Sequence, residues 1–366
     1  MLRLCFPCMR RVARPRRTWH AFSVLSLGLV RSGSGGSCSS NASASIKVRP
    51  LSAALSFGAE VVGADLRQLD NATFDDIVAP ALLQHGLLLF RGQELSPDDE
   101  SDVIHRFDFV TKTSRAPFAI SDPSLMPTHP FIRLLGNVPQ EQVNATPELN
   151  TVGFEWHTDG TGATSLYALR TPLGPEVRTT LFASAYTAYE VLTAEQKSLA
   201  HGLRGRYGVR HAMEASVGEM ARRGFRTSEN GLRVVQSIDQ ASLSPAEIAA
   251  KTTNPERFKR YWGSPVRRHP ENGRKVLWCV PVWLEQFEGY SVDASRDIME
   301  NLLLPGTAPD KVYTHKWQPL DFVIWDNRAV LHSTTPVVSG PQLLHQVTLR
   351  GKLDMEEVPG VSVADV

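Results

Sequence analysis

A His-x-Asp pair set among β-favouring residues constrains this chain more than any other feature. The pair is His157 and Asp159, within residues 154–160. Residues two apart on a strand point to the same face, so the imidazole and the carboxylate can converge on one ion. We expect the third ligand to be a lone histidine far downstream, and His332, which follows an apolar run, is the best candidate. Two imidazoles and one carboxylate, with other positions open, form the facial triad of non-haem Fe(II) oxygenases.

The sequence around both histidines resembles the taurine dioxygenase (TauD/TfdA) family of Fe(II)- and 2-oxoglutarate-dependent dioxygenases. The resemblance is carried by Trp-His-Thr-Asp at 156–159 and by Trp-Asp-Asn-Arg at 325–328, and it extends unevenly from about residue 48 to about residue 352. It implies a mainly β fold with flanking helices (α+β), organised as a double-stranded β-helix, the jelly-roll barrel. It also implies Fe(II) bound by His157, Asp159 and His332, with 2-oxoglutarate, O₂ and a small organic molecule as substrates.

The residues expected to hold 2-oxoglutarate depart from the family pattern. Thr180 matches the family's hydroxyl that contacts the distal carboxylate of 2-oxoglutarate. The family usually places two arginines in its last strand, but the matching positions here are Gln342 and Gln346. Arg350 is an even number of residues from both glutamines, so on a strand its side chain would point to the same face. It is therefore the candidate replacement, although it lies one layer of side chains further along the strand.

Four weaker candidates complete the predicted site. Arg267 and Arg328 are fallback cations for 2-oxoglutarate, with a surface charge and a structural ion pair as their respective alternatives. His129 and Asn137 could face the substrate, although a solvated loop histidine is the commoner case. The family's sulfonate and aryloxy-acid substrates are bound by arginine, and one of those arginines is a glutamine here. An anionic substrate therefore becomes less expected.

Three functions are compatible with these residues. The first is an oxygenase that hydroxylates a small organic substrate and releases succinate and CO₂. The second is a catalytically silent family member that binds a ligand or a partner protein, an alternative motivated by the two glutamines. The third is a zinc hydrolase with the same three ligands, which is disfavoured because no nearby glutamate offers itself as the base.

Composition excludes some other classes. Lys and Arg together number 39, against 38 Asp and Glu, so net charge predicts no strong attraction to nucleic acid or to a membrane. Only Cys279 lies in the body of the chain, so no disulfide framework is expected there.

We predict one dioxygenase domain over residues 46–355 and a tail over 356–366. The sequence leaves open whether the chain forms a homo-oligomer.

Residues 1–45 have the composition of a targeting leader that ends in a Gly/Ser-rich linker. Nine basic residues and no acidic residue precede Glu60, which is typical of an organelle transit peptide. The apolar stretch at 21–30 is too short to span a bilayer, so no stable membrane insertion is expected. We favour a mitochondrial destination; a plastid, secreted or cytoplasmic protein is the alternative.

Local signals predict several elements. They predict helices at 71–84, 97–107 and 189–203, the last with a Thr193–Gln196 capping box. Residues 85–92 form a continuous apolar run, which indicates a buried strand. Asn272-Gly273 predicts a hairpin turn, residues 316–325 read as one strand, and residues 207–262 read as an insertion over the barrel mouth.

The leader hypothesis yields a direct test. A reporter protein fused behind residues 1–45 is expected to enter an organelle, and the chain without them is expected to keep its catalytic activity. Imaging the reporter beside a mitochondrial marker measures the first expectation. A reporter that stays diffuse in the cytosol would contradict the transit-peptide assignment.

Overall fold

An eight-stranded sheet is the centre of the fold. The computed structural model describes residues 46–107, 124–145, 155–172, 179–208, 226–227, 232, 234–236, 261–281, 283–335, 340–349 and 355–358. The predicted leader, most of the predicted insertion, Arg350 and the end of the tail lie outside these residues. In the described part of the chain, no helix is long and apolar enough to cross a membrane.

The strands are numbered in chain order. They are β1 Lys47–Pro50, β2 Ala59–Val62, β3 Leu87–Phe90, β4 Leu125–Met126, β5 His129–Gly136, β6 Ala163–Arg170, β7 Thr179–Ser184, β8 Gly205–Tyr207, β9 Arg226–Thr227, β10 Val234–Gln236, β11 Tyr261–Gly263, β12 Val266–Arg268, β13 Lys275–Leu277, β14 Leu284–Phe287, β15 Val312–Lys316, β16 Phe322–Asp326, β17 Val330–Thr334, β18 Leu343–Thr348 and β19 Glu356–Glu357.

Seven α-helices are found among the described residues. They are α1 Asn71–Thr73, α2 Ala79–His85, α3 Pro97–Arg106, α4 Gln140–Val143, α5 Ala185–Glu190, α6 Ala194–Gly202 and α7 Val292–Leu303. A π-helical turn, Phe74–Val78, joins α1 to α2, and two 3₁₀ turns, Leu304–Thr307 and Pro309–Lys311, follow α7.

The large sheet separates two apolar clusters, because side chains alternate between its faces. Its strand order is β1-β2-β3-β16-β6-β18-β5-β4. Leu87, Leu89 and Trp325 point into an inner cluster, which also contains residues of β7 and β17. Leu88 and Phe90 point the other way, into an outer cluster that also contains residues of α2 and α3. Every residue of β3 is buried, which confirms the predicted buried strand.

A three-stranded sheet, β15-β7-β17, shares the inner cluster with the large sheet. The Cα of His332 on β17 is paired with that of Phe182 on β7. The Phe182 ring in turn packs edge-on against Trp325 of the large sheet, with centroids 5.2 Å apart. Aromatic contacts of this kind join the two sheets, so His332 lies in a dry environment between them.

The fold prediction is confirmed at the level of class: the described chain is mainly β, with helices along one face of its large sheet. The strands form separate sheets, and closure into a barrel is not seen among the described residues. The predicted tail begins with β19, which pairs with β12.

Most local predictions hold, with three differences. The helix start at Pro97, the capping box at Thr193 and the turn at Gly273 are confirmed. The first helix is capped by Asp70, one residue before the predicted start. The predicted helix at 189–203 is two helices, α5 and α6. The predicted strand at 316–325 is divided between β15 and β16, because Leu320 has a left-handed backbone (φ 66°) that turns the chain.

Candidate metal centre

The structure brings the three predicted metal ligands together. His157 and His332 form an isolated antiparallel bridge, in which each backbone N–H donates to the other's carbonyl at 2.9 Å. Their ring centroids lie 4.1 Å apart. His332 belongs to β17, whose residues are all buried, and its ring lies on the face that meets the large sheet.

Asp159 completes the cluster. One carboxylate oxygen lies 3.9 Å from His157 Nε2 and the other lies 3.5 Å from His332 Nε2. The ligand atoms of the three residues all fall within 4.8 Å of one another. Two imidazole nitrogens and one carboxylate are a donor set that suits Fe(II) and leaves coordination positions open.

The protonation chemistry also fits a metal site. His157 Nδ1 is 2.8 Å from the Glu155 carbonyl and donates to it, which leaves Nε2 as the ligand atom. Burial, with a contribution from His157, lowers the pKa of His332 well below its usual value, so this imidazole is neutral, as a metal ligand must be. Burial raises the pKa of Asp159 against the attraction of His157. A bound dication would favour the carboxylate form.

Asn327 fixes the loop that carries Asp159. Its side-chain oxygen accepts from the Asp159 backbone N–H at 3.1 Å and from Trp325 Nε1 at 3.0 Å. Its amide nitrogen donates to the Gly162 carbonyl at 2.8 Å and to Thr164 Oγ1 at 2.9 Å. The buried amide thus uses all four of its hydrogen-bonding positions. Sequence reasoning used Asn327 only as part of a motif and did not find this positioning role.

A buried ionic network holds the turn that precedes β17. Asp326 accepts from His269 Nε2 at 2.9 Å and from Arg328 Nη2 at 2.8 Å, and Glu271 lies 2.9 Å from Arg328 Nη1. Although burial acts to raise it, these partners lower the pKa of Asp326 to about 2. Removing one member of such a network costs about 3–5 kcal/mol, because it leaves an uncompensated charge. The alternative role foreseen for Arg328, a structural ion pair, is the one found.

Thr180 is placed two residues from Phe182, the partner of His332 on β7. Trp317 Nε1 donates to Thr180 Oγ1 at 3.0 Å, so the hydroxyl proton of Thr180 remains able to donate to a ligand. His315 is paired with Thr180 in the register between β15 and β7, but burial lowers its pKa. His315 is therefore a neutral neighbour of Thr180 and supplies no cation there.

The two glutamines have different surroundings. Gln346 Nε2 donates to Asp159 Oδ2 at 3.2 Å, so Gln346 faces the metal centre. Gln342 is completely buried just before β18, and its backbone N–H donates to Asn137 Oδ1 at 2.7 Å. The glutamines are four positions apart along the chain, a span of about 13 Å in an extended strand. Gln346 is thus in direct contact with a member of the triad.

The remaining candidates are held by other groups. The Asn137 amide donates to the Gly340 carbonyl, so its side chain ties β5 to the start of β18. His129 lies 3.1 Å from Asp98 and 2.9 Å from Thr128 Oγ1. Arg267, which is buried, lies 3.7 Å from Glu357 of β19. These contacts join each of the three residues to a neighbouring strand, helix or loop.

Comparison with known proteins identifies one matching protein family and several relatives. The family model described as "Taurine catabolism dioxygenase TauD, TfdA family" matches residues 47–348. Pentalenolactone F synthase of Streptomyces avermitilis is 27% identical over 286 residues, which cover 75% of this chain and 85% of that protein. The (S)-phenoxypropionate/alpha-ketoglutarate-dioxygenase of Delftia acidovorans is 26% identical over 306 residues, which cover 80% of this chain and 90% of that protein.

Solved structures share the fold. A taurine dioxygenase from Burkholderia xenovorans has a TM-score of 0.59 and 23% identity, over 88% of this chain and 97% of that one. AAD-2, solved in complex with Mn(II) and N-oxalylglycine, has a TM-score of 0.61 and 21% identity, over 87% of this chain and all (100%) of that one.

The geometry predicts the effect of removing each ligand. His157→Ala, Asp159→Ala and His332→Ala are each expected to abolish Fe(II) binding or reduce turnover to background. Cooperative thermal unfolding is expected to persist, since an open metal site contributes little to the apolar core. Anaerobic Fe(II) titration, product analysis and a melting curve measure these outcomes. Full activity in any one variant would contradict the assignment of that residue.

Proposed function

The chain belongs to the taurine catabolism dioxygenase TauD, TfdA family and is a 2-oxoglutarate-dependent dioxygenase, and we propose that it hydroxylates a small organic substrate. The observation that carries the proposal is the convergence of His157, Asp159 and His332 within 4.8 Å. The family uses Fe(II) and 2-oxoglutarate, and the donor set found here suits that metal.

The residues divide the work as follows. His157, Asp159 and His332 would hold Fe(II), which with 2-oxoglutarate supplies the oxidation, as the co-substrate loses CO₂ and becomes succinate. Thr180 would donate its hydroxyl proton to the distal carboxylate of 2-oxoglutarate. Phe182 and Trp325 pack around His332 and exclude water from this side of the metal. Asn327 keeps the Asp159 carboxylate aimed at the shared position.

We place this site between the two halves of a jelly-roll barrel, with the large sheet as one half and β15-β7-β17 as the other. Support comes from the inner cluster that both sheets share and from the likeness to taurine dioxygenase structures. Small molecules and O₂ are the proposed partners. Relatives of the chain include alpha-ketoglutarate-dependent dioxygenases, and no comparison supports the catalytically silent alternative.

An anaerobic titration tests the proposal. Adding Fe(II) and then 2-oxoglutarate to the purified chain is expected to produce a weak visible charge-transfer band, because the keto acid chelates the metal. Admission of O₂ is then expected to release succinate. A coupled succinate assay across a panel of small organic molecules would identify the substrate. A band without succinate would favour the silent alternative, and hydrolysis that requires Zn²⁺ would favour the hydrolase.

The cation for the distal carboxylate of 2-oxoglutarate is a separate prediction. An arginine–carboxylate pair contributes about 1.5–3 kcal/mol, or roughly 10- to 150-fold in affinity. If nothing replaces the family's arginine, Gln342→Arg is expected to tighten 2-oxoglutarate binding by about that factor. If Arg350 has taken over, Arg350→Ala is expected to weaken binding by a similar factor, and Gln342→Arg to do little.

The measurement is the dissociation constant of 2-oxoglutarate for the wild type and both variants. Arg170→Gln is the control, because Arg170 is exposed and bonds Gln142 at the surface. Insensitivity to both changes would mean that neither Gln342 nor Arg350 faces the co-substrate.

A further inference from the structure

Arg133 points from β5 towards the metal centre. Leu344 of β18 belongs to the inner cluster, and Gln346 lies two residues further along that strand, on the same face. Arg133 is the cross-strand partner of Gln346, so it shares that face.

The sheet register places Arg133 directly across from Gln346. The two Cα atoms are partners in the antiparallel pair of β5 and β18. Side chains of such a pair lie on the same face, with Cβ atoms about 4.5–5.5 Å apart. Gln346 donates to Asp159 Oδ2 at 3.2 Å, so its neighbour Arg133 is beside the metal centre as well.

The position of Arg133 changes the inference about the substrate's charge that was drawn from the two glutamines. The last strand lacks both family arginines, which made an anionic substrate less expected. The positive charge is nevertheless present in the next strand, about 4.8 Å away in the hydrogen-bonding direction. A guanidinium group on a long side chain can cover that distance, and its planar fork matches a carboxylate.

We propose that Arg133 binds a carboxylate group of the primary substrate beside the metal, with the Gln346 amide nitrogen as a neighbouring neutral donor. The proposal rests on the proposed function and adds a substrate class to it. The primary substrate is favoured over 2-oxoglutarate as the source of this carboxylate because the hydroxyl assigned to the co-substrate, on Thr180, belongs to the opposite sheet. Arg133 lies in the large sheet, on the Asp159 side of the triad.

The test compares acids with their uncharged amides. The probes are phenylacetate, phenoxyacetate and hexanoate, each paired with its primary amide. Dissociation constants come from the change that each probe causes in the visible band of the anaerobic enzyme loaded with Fe(II) and 2-oxoglutarate. For the wild type, at least one acid is expected to bind about 10- to 150-fold more tightly than its amide.

Four variants locate the origin of that preference. Arg133→Gln is expected to remove the preference for acid over amide, and Arg133→Lys to keep part of it, since lysine retains the charge without the fork. The double variant Arg133→Gln/Gln346→Arg returns the charge to the other member of the pair and is expected to restore it. Arg170→Gln, a surface arginine of the same sheet, is expected to leave it intact.

The contrary outcomes are distinct. Wild-type enzyme that binds no acid more tightly than its amide would overturn the proposal, as would a preference that survives Arg133→Gln. A loss of 2-oxoglutarate affinity alone in Arg133→Gln would assign Arg133 to the co-substrate and also overturn it. Weaker Fe(II) binding with an unchanged preference would show that Arg133 only supports Asp159. Absence of the visible band in the wild type would instead refute the proposed function, before any probe is added.

Discussion

Two backbone hydrogen bonds between His157 and His332 hold the metal centre together. They join the segment that precedes β6 to β17, which comes much later in the chain. A side chain can adjust by rotating, but a mutual pair of backbone bonds fixes both Cα positions. The bridge therefore holds the two imidazoles side by side, and the carboxylate of Asp159 is positioned separately. That positioning is the task of Asn327, whose amide has no hydrogen-bonding position left unused.

The polar groups around this bridge are costly to bury, and the structure offsets the cost by pairing them. Asp326 is buried with two basic partners, and Arg328 also contacts Glu271. Networks of this kind stabilise a fold only when each member is satisfied. Here the network occupies the turn between β16 and β17, so it determines where β17 begins. The position of His332 thus depends on residues that do not bind a metal.

Local sequence signals predicted the parts of the structure that depend on local physics. The helix start at Pro97, the capping box at Thr193 and the turn at Gly273 each involve residues a few positions apart. The His-x-Asp pair was expected on a strand, whereas His157 lies on an isolated bridge and Asp159 in the bend after it. The division of the predicted strand at Leu320 was missed, because a leucine with positive φ carries no local signal. The pairing of Arg133 with Gln346 was missed for a deeper reason. Register between distant strands is set by how the whole sheet assembles, so neither strand reveals its partner's side chains.

The same register explains how a site without the family's arginines can still accept an anion. The Asp159 carboxylate and the two carboxylates of 2-oxoglutarate would place three negative charges around one dication. An anionic substrate would be repelled by these carboxylates at short range, in a low-dielectric interior where charge interactions are strong. The guanidinium of Arg133 supplies a positive charge on the side of the site where Gln346 contacts Asp159. Side chains of a cross-strand pair lie next to each other on one face of the sheet. An arginine at position 133 therefore places its charge close to where an arginine at position 346 would place it, and the substrate would meet the same positive charge.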